Sequence, residues 1–109
     1  MELKEVLNEY TKIVQAYKET PFDDKIQTAE LMKDMSIILS ALTSYKVKNK
    51  IDWDGKCFNL VKEGMTGTAA EKIANQEFPD LDMLRQLLKA GNNILDTMRS
   101  HVSLLKSEQ

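Results

Sequence analysis

Residues 45–64 read Tyr45-Lys46-Val47-Lys48-Asn49-Lys50-Ile51-Asp52-Trp53-Asp54-Gly55-Lys56-Cys57-Phe58-Asn59-Leu60-Val61-Lys62-Glu63-Gly64. Asp54-Gly55 is a turn signal, yet Val47, Ile51, Phe58 and Val61 keep helical spacing across it. If the chain breaks at residues 50–56, the protein is a set of short helices; if it does not, a single long arm sets the shape. An isolated Gly costs a helix interior only about 1 kcal/mol relative to Ala, which favours one helix running to about Glu63 with a phase shift at 50–56.

Upstream, Ile26, Leu31, Met35, Ile38, Leu42 and Tyr45 continue the same arm, and Met32 and Leu39 widen the stripe. Thr20 is expected to cap it, with Pro21 at the first helical position and Asp23 and Asp24 complementing the positive end of the helix dipole. Before that corner, Leu3, Val6, Tyr10, Ile13 and Tyr17 repeat at 3-4-3-4 spacing and define a short first arm. Downstream, Gly64 suits the left-handed position after a helix end. Thr68-Ala69-Ala70-Glu71 then reads as a capping box opening the next helix. Pro79 must end that helix, kink it or sit in the first turn of another. After it, Leu84, Leu88, Gly91, Leu95, Met98, Val102 and Leu105 form a sustained heptad, in which Gly91 either admits a close neighbour or is a tolerated weak point.

The expectation is therefore one all-α domain over residues 1–109, a three-helix antiparallel bundle or extended helical hairpin with long coiled-coil-like arms at about 2–19, 21–63 and 68–107. At about 1.5 Å per residue the two long arms reach on the order of 60 Å, more than the first arm can cover. The seam left over would face water, so homo-oligomerisation through Leu84, Leu88, Leu95, Met98, Val102 and Leu105 is expected.

Composition narrows the function. In 109 residues, 15 Lys+Arg against 17 Asp+Glu leave a net charge of −2, which excludes a polybasic nucleic-acid coat. Four Gly and two Pro are too few for a turn-rich β-sandwich. The single cysteine, Cys57, cannot form an internal disulfide and fits a reducing compartment. The charged start Met1-Glu2-Leu3-Lys4-Glu5 lacks a signal-peptide core, and no run of about 18 apolar residues could span a bilayer, so a soluble cytoplasmic protein without membrane contact is expected.

Chemistry has little to stand on. The one histidine, His101, has no Asp, Glu or Cys at i±4 to orient it or share a metal, and reads as a surface or bundle-edge residue. Cys57 reads as a small buried side chain. Asp52 to Glu63 has the length of a calcium loop, but Lys56 stands at the fifth position and Cys57 at the sixth, where an oxygen ligand and glycine are needed. Gly64 and Gly67 are not followed by the Lys-Ser/Thr of a phosphate loop. No catalysis, metal or cofactor is expected. The one charge cluster is Lys46, Lys48, Lys50, Lys56 and Lys62 with Tyr45 and Trp53 interleaved, an arrangement that suits a single-stranded nucleic acid site and equally a solvated helix face.

The tail Asn93-Ile94-Leu95-Asp96-Thr97-Met98-Arg99-Ser100, followed by Leu104-Leu105-Lys106, resembles the C-terminal helix of small bacteriophage recombination mediators. The Glu63-Gly64-Met65-Thr66 corner entering Thr68-Ala69-Ala70-Glu71 is similar to helical hairpins of small phage and prophage proteins. That resemblance implies a non-enzymatic oligomer in the cytoplasm of a bacterial host, helping to load a recombinase onto single-stranded DNA, with Arg99 and Lys106 as tail contacts. Together with the lysine cluster it makes Lys46, Lys48, Lys50, Trp53, Lys56, Arg99 and Lys106 the candidate DNA contacts. The alternative is a protein-only adaptor or inhibitor that docks a helical face on a host or phage protein. A small enzyme or ligand binder with a pocket between subunits ranks last.

Overall fold

A computed structural model describes residues 1–107 of the chain. They form four helices, α1 (Leu3–Glu19), α2 (Lys25–Lys62), α3 (Gly67–Glu77) and α4 (Asp80–Ser107), and no strand among the described residues. The protein is all-α and elongated. Its radius of gyration is 18.5 Å, against about 13 Å for a compact chain of this length, and its extents are 65 × 25 × 17 Å.

α2 is the spine. It runs 38 residues without interruption, so Gly55 is simply a helical residue, and each of the other three helices packs against it. Near one end, α1 contributes Val6, Tyr10 and Ile13, α2 contributes Leu31, Met35, Ile38, Leu39 and Leu42, and α4 contributes Leu84, Leu88, Leu95 and Met98 to one core. α4 is antiparallel to α2, with Gly91 seated against the Leu39 side chain. A Cβ at Gly91 would overlap Leu39 Cδ2 and lie 3.0 Å from Tyr10 Cε2, so the absent side chain is what lets the three helices meet. Tyr10 O–H also donates to the Leu87 carbonyl at 3.4 Å, tying α1 to α4.

The seam expected to be shared between copies is closed by the chain itself. Leu84, Leu88, Leu95, Met98, Val102 and Leu105 are all buried in the isolated chain, none more than 8% exposed. The reason lies in arm lengths: Pro79 ends one helix and begins another, so the expected arm at 68–107 is two pieces. The α4 piece is only 28 residues, about 42 Å, and α1 and α2 suffice to cover its heptad face.

The corners also differ from expectation. Thr20 closes α1 rather than opening α2: its Oγ1 donates to the Ala16 carbonyl at 2.7 Å and its N–H to the Tyr17 carbonyl at 3.2 Å. Asp24 caps α2, its Oδ1 accepting from Gln27 N–H at 2.9 Å, and Pro21 sits in the intervening turn. Ile26 lies about 140° around the helix from Leu31, whereas Thr28 lies only about 60° from it. Ile26, expected in the core stripe, is 79% exposed, and Thr28 is buried in its stead. Thr28 can be there because its hydroxyl donates to the Asp24 carbonyl at 2.8 Å.

At the far end Gly64, at φ 103°, takes the left-handed position after α2. Gly64 N–H bonds the Val61 carbonyl at 2.9 Å and Met65 N–H the Leu60 carbonyl at 3.1 Å, the paired bonds of a Schellman ending. The cap of α3 is Thr66, whose Oγ1 accepts from Ala69 N–H at 3.3 Å, rather than Thr68, which already lies in the first turn. α3 then folds back on α2 with Ala70 and Ala74 fully buried.

Candidate functional site

α2 carries apolar residues on two opposite faces. The inner stripe of Leu31, Met35, Ile38, Leu39 and Leu42 is covered by α1 and α4. Beyond it the inner side is covered by α3, where Trp53 Nε1 donates to Asn75 Oδ1 at 2.9 Å and Lys56 pairs with Glu77 at 3.1 Å. The outer stripe is uncovered. Ile37 (58% exposed), Val47 (51%), Ile51 (64%), Phe58 (68%) and Val61 (49%) lie along it. Ile37, Ile51 and Phe58 are separated by multiples of seven, and so are Val47 and Val61, with Ser40 and Ser44 filling the same two heptad rows. Two residues separate this stripe from the inner one at Met35 and Leu42, a rotation of about 200°, which places it on the back of the spine.

Single exposed apolar side chains are ordinary, but these form a line about 36 Å long. Its middle is a shallow, open dip on the surface of α2 itself, between Thr43, Ser44, Val47, Lys48, Ile51 and Asp52. No other part of the described surface repeats apolar residues in this way.

The candidate DNA contacts are not brought together. Lysines at i and i+2 point to opposite sides of a helix, so Lys46 and Lys50 share one side and Lys48 stands on the outer face. Lys50 Nζ lies 4.2 Å over the Trp53 ring and 3.0 Å from Asp54 Oδ1. Trp53 and Lys56 are used in holding α3. On α4, Arg99 pairs with Asp96 at 3.2 Å. From the seating of Leu39 against Gly91, Arg99 lies level with residue 31 of α2, roughly 25 Å along the axis from Lys48, and Lys106 lies farther still.

His101 has a structural task that sequence reasoning missed. The Tyr17 hydroxyl lies 3.1 Å from Nδ1, the Phe22 carbonyl accepts from Nε2–H, and the Phe22 ring stacks on the imidazole at 4.5 Å between centroids. A carbonyl can only accept, so Nε2 carries the proton, and in the neutral ring Nδ1 accepts from the Tyr17 hydroxyl. The imidazole thereby latches the α1–α2 corner to the end of α4, and burial pushes the Tyr17 phenol above its ordinary value. Thr97, Ser100 and Leu104 complete an open hollow beside it. Residues 79 and 84 positions apart make this latch, and no local pattern announces it.

Cys57 is half-buried, and its thiol is pushed up by burial and by the carboxylates of Glu71 and Asp54, with Lys50 opposing. That environment disfavours the thiolate a nucleophile needs. Among the described residues no group of three His, Cys, Asp or Glu side chains is placed to hold a metal ion, and no helix is long and apolar enough to cross a membrane. Comparison of the chain with protein-family models, with curated proteins and with solved structures found no match.

Proposed function

We propose that this protein is a non-enzymatic helical binding module whose working surface is the outer face of α2, and that the face docks on protein. The observation that carries the proposal is the heptad-spaced line of Ile37, Val47, Ile51, Phe58 and Val61, left open although the inner side of the same helix is fully used. Amphipathic helices recognise partners through apolar anchors at this spacing. A bacteriophage recombination protein is the class of partner to which the resemblance of the tail points.

A photo-crosslinking residue at Ile51 tests the reading against the same residue at Lys89, which is exposed on α4. Protein adducts at position 51 and none at position 89 are expected; equal labelling at both removes the face as a docking site. Contact with single-stranded DNA is the second reading, favoured by Lys48, which stands on the outer face and makes no ion pair among the described residues. Counterion release makes such binding salt-dependent, so a labelled oligonucleotide should bind at low salt and be released as salt rises. Absence of binding at low salt eliminates it.

A further inference from the structure

We infer that the outer face of α2 is occupied by a second copy of this chain, paired antiparallel about a two-fold axis at Ile51; the inference rests on that face being a docking surface. The charge order next to Ile51 is antisymmetric: Lys48 and Lys50 precede it at alternate positions and Asp52 and Asp54 follow, while Lys46 and Lys56, the next positions out, turn toward the inner side of α2. Laying α2 parallel on itself sets lysine beside lysine and aspartate beside aspartate. Turning one copy end for end sets them opposite.

Helix geometry decides which groups meet. With Ile51 on the axis, Lys48 and Asp52 lie on one flank of the contact, Lys50 and Asp54 on the other. The two-fold brings Lys48 of one copy within about 3 Å axial offset of the partner's Asp52, and Lys50 within the same offset of the partner's Asp54. Among the described residues Lys48 and Asp52 make no ion pair, and the Lys50–Asp54 pair at 3.0 Å is exposed on both sides, so it gives up little by exchanging. Close to the axis the apolar residues agree with this register, since Phe58 lies only about 20° off the contact line and falls opposite the small Ser44 of the other copy. The contact is at most a strip about 30 Å long and about 10 Å wide, about 300 Å² per copy and well below the roughly 800 Å² per partner of a standard stable interface, so a weak and readily reversible dimer is expected.

Three measurements on the full chain test the pairing. Sedimentation of the wild-type protein should show a concentration-dependent monomer–dimer equilibrium. In a Cys57→Ser background, Ile51→Cys should oxidise to a covalent dimer, because facing Cα atoms across the axis lie about 4–6 Å apart, whereas Val61→Cys should not, its two copies being about 30 Å apart. K48D/K50D makes positions 48, 50, 52 and 54 all acidic and D52K/D54K makes them all basic. Each should fail to self-associate, and mixing the two should restore a dimer with at least about tenfold tighter association than either alone. Efficient oxidation of Val61→Cys means a parallel pair and overturns the inference, as does failure of the mixed variants to associate. A wild-type protein that stays monomeric at several hundred micromolar overturns it too, and then adducts at position 51 with a different protein would leave the docking surface standing without the second copy.

Discussion

Gly91→Ala isolates the junction of α1, α2 and α4, because two opposed effects of known size meet at one methyl group. In a helix interior Ala is favoured over Gly by about 1 kcal/mol. Against that, the new Cβ overlaps Leu39 Cδ2 and comes to 3.0 Å from Tyr10 Cε2. Leu39 is 5% exposed, so its methyl has no solvent to move into and must leave its rotamer inside a packed core, a cost of about 1–3 kcal/mol. The net expectation is a loss of about 1 kcal/mol. Leu39→Ala alone removes the obstructing side chain and costs about 2–5 kcal/mol through lost burial and a cavity. In that background Gly91→Ala should change sign and stabilise, since the helix preference remains, the overlap with Leu39 is gone, and the Tyr10 ring at 3.0 Å can ease into the space Leu39 vacates. Urea unfolding followed by circular dichroism at 222 nm, at one low protein concentration so that association does not shift the midpoints, gives all four corners of the cycle. A coupling of about 1–3 kcal/mol in favour of the double variant is expected. Equal effects of Gly91→Ala in both backgrounds would refute the claim that this glycine is there for space.

Thr66→Ala should destabilise by about 1 kcal/mol in thermal or urea unfolding, whereas Thr68→Ala should be neutral within about 0.5 kcal/mol, because only Thr66 caps α3; the reverse order would restore Thr68 as the cap. Cys57 should react with iodoacetamide at pH 8 more slowly than a small-molecule thiol, its protonated form being favoured by burial and two carboxylates. Glu71→Gln removes one of those charges, lowers the pH at which the thiolate appears and should speed the reaction; no change in rate would show that Glu71 does not act on the thiol.

The sequence carried most of the fold and little of the site, for identifiable reasons. The α4 heptad and the α1 stripe are single-faced, and each was legible as written. Gly64 was legible because a left-handed helix ending has a strong residue preference. Thr20 was misjudged because a Thr hydroxyl bonds equally well to a carbonyl one turn back or to an N–H three residues ahead, and Thr68 was taken for the cap that Thr66, two residues earlier, provides. The outer face of α2 was read correctly as helix but not as surface. Val47, Ile51, Phe58 and Val61 were the residues that argued for continuity, yet periodicity says only that they share a side. Which side is covered depends on where α1 ends and on α3 folding back, both set by distant corners. The His101 latch depends on chain closure over about eighty residues, which leaves no periodic trace.

Because every other helix leans on α2, the molecule has one beam and no cross-bracing along much of its length. The trunk around Met35, Leu42 and Met98 is sealed on several sides, whereas the tip beyond Asn49 is sealed by α3 alone, through two alanines and a few polar ties. The tip is therefore expected to open at a lower free energy than the trunk, which would give one short chain two tiers of stability along a single continuous rod.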